Sequence, residues 1–144
     1  MINVFVVRQI DGRLIEAFAR LMPQLSASLD APSAESLRRM VAAPATRLFG
    51  AERDGAIVGL LTLVWYDAPS GRHAWIEDVV VDAAQRGCGA GQALVRAAMA
   101  CAEQEGCDNL SLTSNPSRVA AHALYRKAGF EPYNTTLFRV KIKK

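Results

Sequence analysis

Arg86-Gly87-Cys88-Gly89-Ala90-Gly91-Gln92 is the stretch whose residue types and spacing suit chemistry most directly. It follows an apolar, β-branched run (Ile76, Val79, Val80, Val81) and opens a long helical pattern, so the spacing predicts a strand, a tight turn and a helix N-terminus. The first backbone N–H groups of a helix have no intrahelical acceptor, and its aligned dipoles place partial positive charge there. Glycines at 87, 89 and 91 clear side chains from those amides and permit the positive φ that a concave nest of N–H groups needs. Arg86 adds a formal charge at the entrance. The expected ligand therefore carries phosphate or pyrophosphate; the plainer alternative is a glycine turn that only lets strand and helix pack closely.

Two nucleotide readings fail on residue identity. A dinucleotide fingerprint needs a third glycine where Gln92 stands, and a P-loop needs Gly-Lys-Ser/Thr, which is absent.

Arg86-Gly87-Cys88-Gly89-Ala90-Gly91 after Val79-Val80-Val81-Asp82 resembles the acetyl-CoA pyrophosphate loop of the GCN5-related N-acetyltransferase (GNAT) superfamily, whose signature is Gln/Arg-x-x-Gly-x-Gly/Ala. Asn115-Pro116-Ser117 through Leu124-Tyr125-Arg126-Lys127-Ala128-Gly129-Phe130 is similar to the later Asn…Tyr…Gly-Phe block of the same family. The two motifs together cover residues 75 to 130.

The resemblance implies acetyl transfer from acetyl-CoA to a primary amine by direct attack, without a metal. It implies that Glu77 to Val81 splays from the strand at Leu110 to Thr113, and that the pantetheine arm lies in the gap along Val79, Val80 and Val81. The Val79 N–H is then a candidate to polarise the thioester carbonyl. Arg86, Gly87, Cys88, Gly89, Ala90, Gly91 and Gln92 form the pyrophosphate cradle, and Asn115 joins the cofactor-binding set. Tyr125 would stand near the sulfur. A carboxylate at the position of Glu77 is a general base in relatives; Asp78 is the alternative if a bulge reorients the strand, since neighbouring side chains in a regular strand point to opposite faces. His73 and His122 are further candidates, His73 as a lining residue of the acceptor cleft.

Stepping outward from these residues, Asn3 to Arg8 reads as a first strand, broken at Asp11-Gly12. Leu14, Phe18, Leu21 and Leu25 fall at helical spacing until Pro23, where a kink or an end near Met22 is expected. A second helix is predicted from Ser33 to just before Pro44, with Leu37, Met40 and Val41 inward. By resemblance, the loop between them, Pro23 to Pro32, helps wall the acceptor site. Thr46 to Arg53 and Ala56 to Tyr66 are strands around Asp54-Gly55, a strong hairpin signal. After the glycine loop, Leu94, Ala97, Ala98, Cys101 and Ala102 make one apolar helical stripe, closed by Gly106. Leu110 to Thr113 is the next strand; Asn115 is expected to cap a helix with Pro116 first, and Thr136 to Ile142 to supply a last strand. The fold class is α/β: a three-layer mixed, mostly antiparallel sheet with a splayed central strand pair and flanking helices, the GNAT fold.

Length and composition set the remaining expectations. At 144 residues, 51% hydrophobic and 22% charged, the chain reads as one globular domain over 1–144. A net charge of +3 suits an acidic ligand such as CoA, but no basic run interleaved with aromatics points to nucleic acid. Three cysteines (Cys88, Cys101, Cys107) have no metal-like spacing and imply a reducing compartment. With no signal peptide or membrane-length apolar run, a cytoplasmic protein that does not bind membranes is expected. Asn134-Thr135-Thr136-Leu137-Phe138-Arg139 resembles small bacterial GNAT proteins that dimerise through their final strands, so a homodimer is expected. The acceptor is expected to be a small amine, which predicts a closed pocket; a peptide amine predicts an open groove. A non-catalytic acyl-CoA-binding or regulatory module remains the other class.

Overall fold

The computed structural model describes residues 1–143. Five strands follow one another across a single sheet: β1 (Ile2–Val6), β2 (Thr46–Arg53), β3 (Ala56–Ala68), β4 (Gly71–Val81) and β5 (Asn109–Ser111). All neighbours are antiparallel except β4 and β5, which run parallel. Helices α1 (Gly12–Leu25) and α2 (Ala34–Ala42) cover one face; α3 (Ala90–Gln104) and α4 (Val119–Lys127) are linked to the other.

β3 serves both cores, and an extra residue at Val58, where the pairing with β2 shifts, puts Ile57 on the same face as Leu60. Ile57 and Leu60 join Leu14, Phe18, Leu21 and Leu37 beneath α1 and α2. Leu61, Leu63 and Trp65 meet Leu94, Val95, Ala98 and Cys101 of α3. Leu94 and Val95 are fully buried, and each such side chain contributes about 1.5–3 kcal/mol relative to exposure. The helix whose first turn faces the glycine loop is therefore held firmly on the sheet.

Several local expectations hold. Asp54 and Gly55 both take positive φ, at 52° and 81°, the twist that joins two right-handed strands through a two-residue turn. Ser33 caps α2 by accepting from the Ser36 N–H, and Asp11, expected only to break the first strand, also caps α1 by accepting from the Leu14 N–H.

Others need correction. Pro23 does not end α1 at Met22; the helix runs on to Leu25 and closes through the Ser26 N–H donating to the Met22 carbonyl. A proline this close to a C-terminus removes only one donor from a turn that is already ending. Asn115 does not cap α4 with Pro116 behind it: its side chain accepts from the Ser117 N–H and hydroxyl in a separate turn, and the helix begins at Val119. β5 stops at Ser111, short of Thr113. The last strand is absent: residues 130–143 form neither helix nor strand. Alternating apolar residues supply strand propensity, but a strand needs a ladder partner, and Tyr133, Leu137, Phe138, Val140 and Ile142 all stay exposed.

Candidate functional site

The site is built where the central strands part. β4 and β5 pair only through His73–Asn109, Ala74–Leu110 and Trp75–Ser111. Beyond Trp75 the strands diverge, leaving the edge of Glu77–Val81 that faces β5 without a ladder partner.

On its other edge the same stretch carries a bulge. Thr62 lies opposite Glu77 and Leu60 opposite Val80, so Leu61 faces two residues, Asp78 and Val79. Asp78 sits at φ 53°, a left-handed conformation that costs a non-glycine residue roughly 1–3 kcal/mol and concentrates at working sites. The extra residue flips the strand's parity: Ile76 packs on the α3 side, whereas Val80 packs on the α1 side. It also brings Glu77 and Asp78, adjacent in sequence, to the wall of one cavity of about 280 Å3.

Tyr125 lines that cavity from α4. Its position follows from how the helix ends. The Phe130 N–H donates to the Tyr125 carbonyl and the Gly129 N–H to the Arg126 carbonyl, with Gly129 at φ 106°. This is a Schellman closure, and the Tyr125 and Phe130 rings make its apolar contact edge to face at 6.1 Å. The Tyr…Gly-Phe spacing thus has a structural reason: it ends the helix and seats the tyrosine. Tyr125 is 9% exposed.

The electrostatics of the cavity are mixed. Burial, and secondarily the charge of Asp78, push the Glu77 carboxyl above its ordinary value, while Arg139 acts in the opposite direction. Glu77 is still open to solvent along one side. Burial raises the Tyr125 hydroxyl as well, and Arg118 partly offsets that.

Two of the three loop glycines take the expected positive φ. Gly87 and Gly89 take φ of 83° and 89°, and a Cβ on either would project into open space. Gly89 is the N-cap of α3 and offers no side-chain partner to the helix's first N–H groups. Gly91 differs from the expectation of positive φ; it is an ordinary helical residue beside Leu124 and Val81. Arg86 and Gly87 are exposed, Cys88 is half-buried, and Ala90 is buried against the sheet.

A latch that the sequence did not disclose fixes the start of this loop. Arg20 of α1 donates to Asp82 at 2.8 Å and to the Ile57 carbonyl at 2.9 Å, and Gln24 accepts from the Ala83 N–H at 2.8 Å. Asp82 in turn accepts from the Ala84 N–H, the largest of the interactions that hold its carboxyl below its ordinary value. Nothing in the local spacing of Arg20 and Gln24 pairs them with residues some sixty positions away.

The remaining candidates separate. Leu25 and Leu29, from α1 and the loop after it, line the cavity, as do Arg118 and Arg139, neither of which the sequence had singled out as a site residue. Asn115 lines an adjoining cavity with Ser114 and Leu137. His73 lines neither: it is tied to Ser70 at 2.8 Å and Asn109 at 2.9 Å at the paired start of β4. Among the described residues no group of three or more His, Cys, Asp or Glu is placed to hold a metal ion, and no helix is long and apolar enough to cross a membrane.

A parted β4–β5 pair, a bulge and a glycine-led helix are what the GNAT fold joins together. Residues 13–130 match the Acetyltransferase (GNAT) family, and the chain belongs to it. Members of this family use acetyl-CoA. An Agrobacterium tumefaciens protein provisionally assigned as an acetyltransferase is similar at 25% identity and TM-score 0.83, over 96% of this chain and 99% of that one. Two others share the fold. An aminoglycoside acetyltransferase from an uncultured soil metagenome, in complex with sisomicin, matches at 18% identity and TM-score 0.85, over 99% of this chain and 97% of its own. A ribosomal-protein-alanine N-acetyltransferase from Brucella melitensis matches at 19% and 0.78, over 99% and 100%. No curated protein sequence matches the chain significantly.

Proposed function

We propose that this protein, a single catalytic domain, transfers the acetyl group of acetyl-CoA to a primary amine of a small molecule by direct attack in a ternary complex. The observation that carries the reading is the meeting of Glu77, Asp78 and Tyr125 around one cavity where β4 parts from β5.

The thioester arm would lie along the unpaired edge of Val79, Val80 and Val81, as an added strand does at an open sheet edge. The amides of the glycine loop would take the pyrophosphate, with Arg86, Cys88, Ala90 and Gln92 around them and Asn115 toward the arm. An ammonium has no lone pair to attack with, so Glu77, directly or through water, takes its proton; Asp78 is the alternative base. The amine nitrogen then bonds to the carbonyl carbon, and the Val79 N–H stabilises the charge on oxygen. As the C–S bond breaks, the electron pair leaves on sulfur, where the Tyr125 hydroxyl donates a hydrogen bond, and the second proton of the attacking nitrogen passes to solvent as the amide forms. Leu25 and Leu29 add two apolar contacts to a wall that is otherwise mostly polar, which suits a small polar amine.

The deciding experiment is acetyl-CoA calorimetry followed by addition of pooled amines while free thiol is monitored. Binding with amine-dependent thiol release is the expected result; binding without release would favour a sensor. In the same assay Gly89→Leu is expected to weaken acetyl-CoA binding about 10- to 100-fold, because it adds left-handed strain and fills the cradle. Unchanged affinity would remove the loop from the site.

The protein is also proposed to be a cytoplasmic homodimer. The exposed apolar residues from Tyr133 to Ile142 support a self-contact, and three free cysteines suit a reducing compartment. Light scattering at micromolar concentration should return twice the chain mass; a monomer would overturn the dimer.

A further inference from the structure

The acceptor cavity carries charges of both signs. Its wall holds two carboxylates, Glu77 and Asp78, and two guanidinium groups, Arg118 and Arg139. Neither arginine forms an ion pair with a carboxylate among the described residues. The formal charge of the wall is therefore balanced; Arg139 acts on Glu77 through its charge without reaching ion-pair distance, so its guanidinium donors remain available to a ligand.

Arg139 and Thr113 also line the adjoining cavity, so the acceptor space continues past them toward Ser114. The Ser114 hydroxyl oxygen is shielded from solvent and has no hydrogen-bond partner. A buried hydroxyl without a partner is unfavourable, and one beside a free guanidinium is a donor left for a ligand oxygen.

We propose that the acceptor is an amine that also carries an acid group, with its nitrogen at Glu77 and Asp78 and its carboxylate or phosphate on Arg139, assisted by Arg118 and Ser114. This deepens the acetyl-transfer reading and rests on it. Guanidinium recognises both acids by paired, charge-assisted hydrogen bonds. Leu25 and Leu29 give the rest of the acceptor an apolar wall. A polyamine such as an aminoglycoside fits less well, because its several cationic groups would have only Glu77 and Asp78 to share while meeting two arginines.

The test uses matched pairs on protein saturated with CoA: leucine against isoamylamine, and O-phosphoethanolamine against ethanolamine. Binding is measured by calorimetry, and acetyl transfer by thiol release from acetyl-CoA. The acid-bearing member of one pair is expected to bind about 10- to 100-fold more tightly than its partner, as loss of a charge-assisted contact predicts. Preference in the first pair identifies a carboxylate, and in the second a phosphate. Arg139→Gln should collapse that ratio and Arg139→Lys should keep part of it. Equal binding within both pairs, a ratio unmoved by Arg139→Gln, or no binding by any acid-bearing amine would overturn the inference. Preferential binding without thiol release would instead sink the catalytic reading alone, and thiol release without preference would spare it.

Discussion

Replacing Tyr125 with phenylalanine is expected to lower kcat by about 10²–10³-fold, the usual effect of removing one hydrogen-bond donor from a developing charge, with little change in acetyl-CoA affinity. At the sulfur the hydroxyl can either give up its proton or donate a hydrogen bond. Ordinary values near roughly 10 for tyrosine and 8.5 for a thiol make complete proton transfer to the thiolate uphill by about 2 kcal/mol. Burial raises the Tyr125 hydroxyl further, so the transfer becomes harder. A hydrogen bond to the departing thiolate has no such barrier, and it strengthens as the C–S bond lengthens. It therefore acts on the transition state more than on the bound ground state.

The structure makes this substitution clean. The ring remains buried and keeps its edge-to-face contact with Phe130, and the Schellman closure uses only backbone groups of Tyr125. The melting temperature should not move. Rate-limiting chemistry would show the loss in single-turnover experiments as well as in steady state. A matching fall in acetyl-CoA affinity would make Tyr125 a binding residue, and an unchanged kcat would take it out of the mechanism.

The parts of this molecule that were legible in the sequence are those whose conformation is set by near neighbours. Asp54-Gly55, Ser33 and, at Gly87 and Gly89, the glycine loop each impose a backbone geometry within a few residues, and each takes the conformation its residues favour. The bulge at Asp78 is different. An aspartate at positive φ has no local signature, and its effect, the parity flip between Ile76 and Val80, depends on register against β3. The Arg20–Asp82 latch and the two cavity arginines join residues far apart in the chain, so only the closed fold brings them together. The missing last strand makes the same point from the other side. Residues 136–142 have the right alternation, but pairing belongs to the partner as much as to the segment.

Glu77→Gln should be the most damaging single change, lowering kcat/KM by about 10²–10⁴-fold if the carboxylate is the base. Burial first and the neighbouring Asp78 charge second raise its carboxyl, against the opposing pull of Arg139. A raised carboxylate is a better base near neutrality than an ordinary one, and the acidic limb of the pH–rate profile should lie above the roughly 4.3 of free glutamate. The same shift has a cost in stability whose sign is fixed. A carboxyl with a folded value above its unfolded one contributes stability that is complete below the unfolded value and lost as pH rises through the folded value. At neutral pH the wild-type protein has lost that contribution, whereas glutamine has no proton to lose. The variant should therefore melt slightly higher than wild type at pH 7, and the two should converge below about pH 4, where both side chains are neutral. A large loss of activity with a gain in melting temperature is the pattern of a group kept for chemistry at the expense of the fold. Wild-type activity with an unmoved acidic limb would exclude Glu77 as base and pass the role to Asp78, whose strained backbone at φ 53° already aims it at the same cavity.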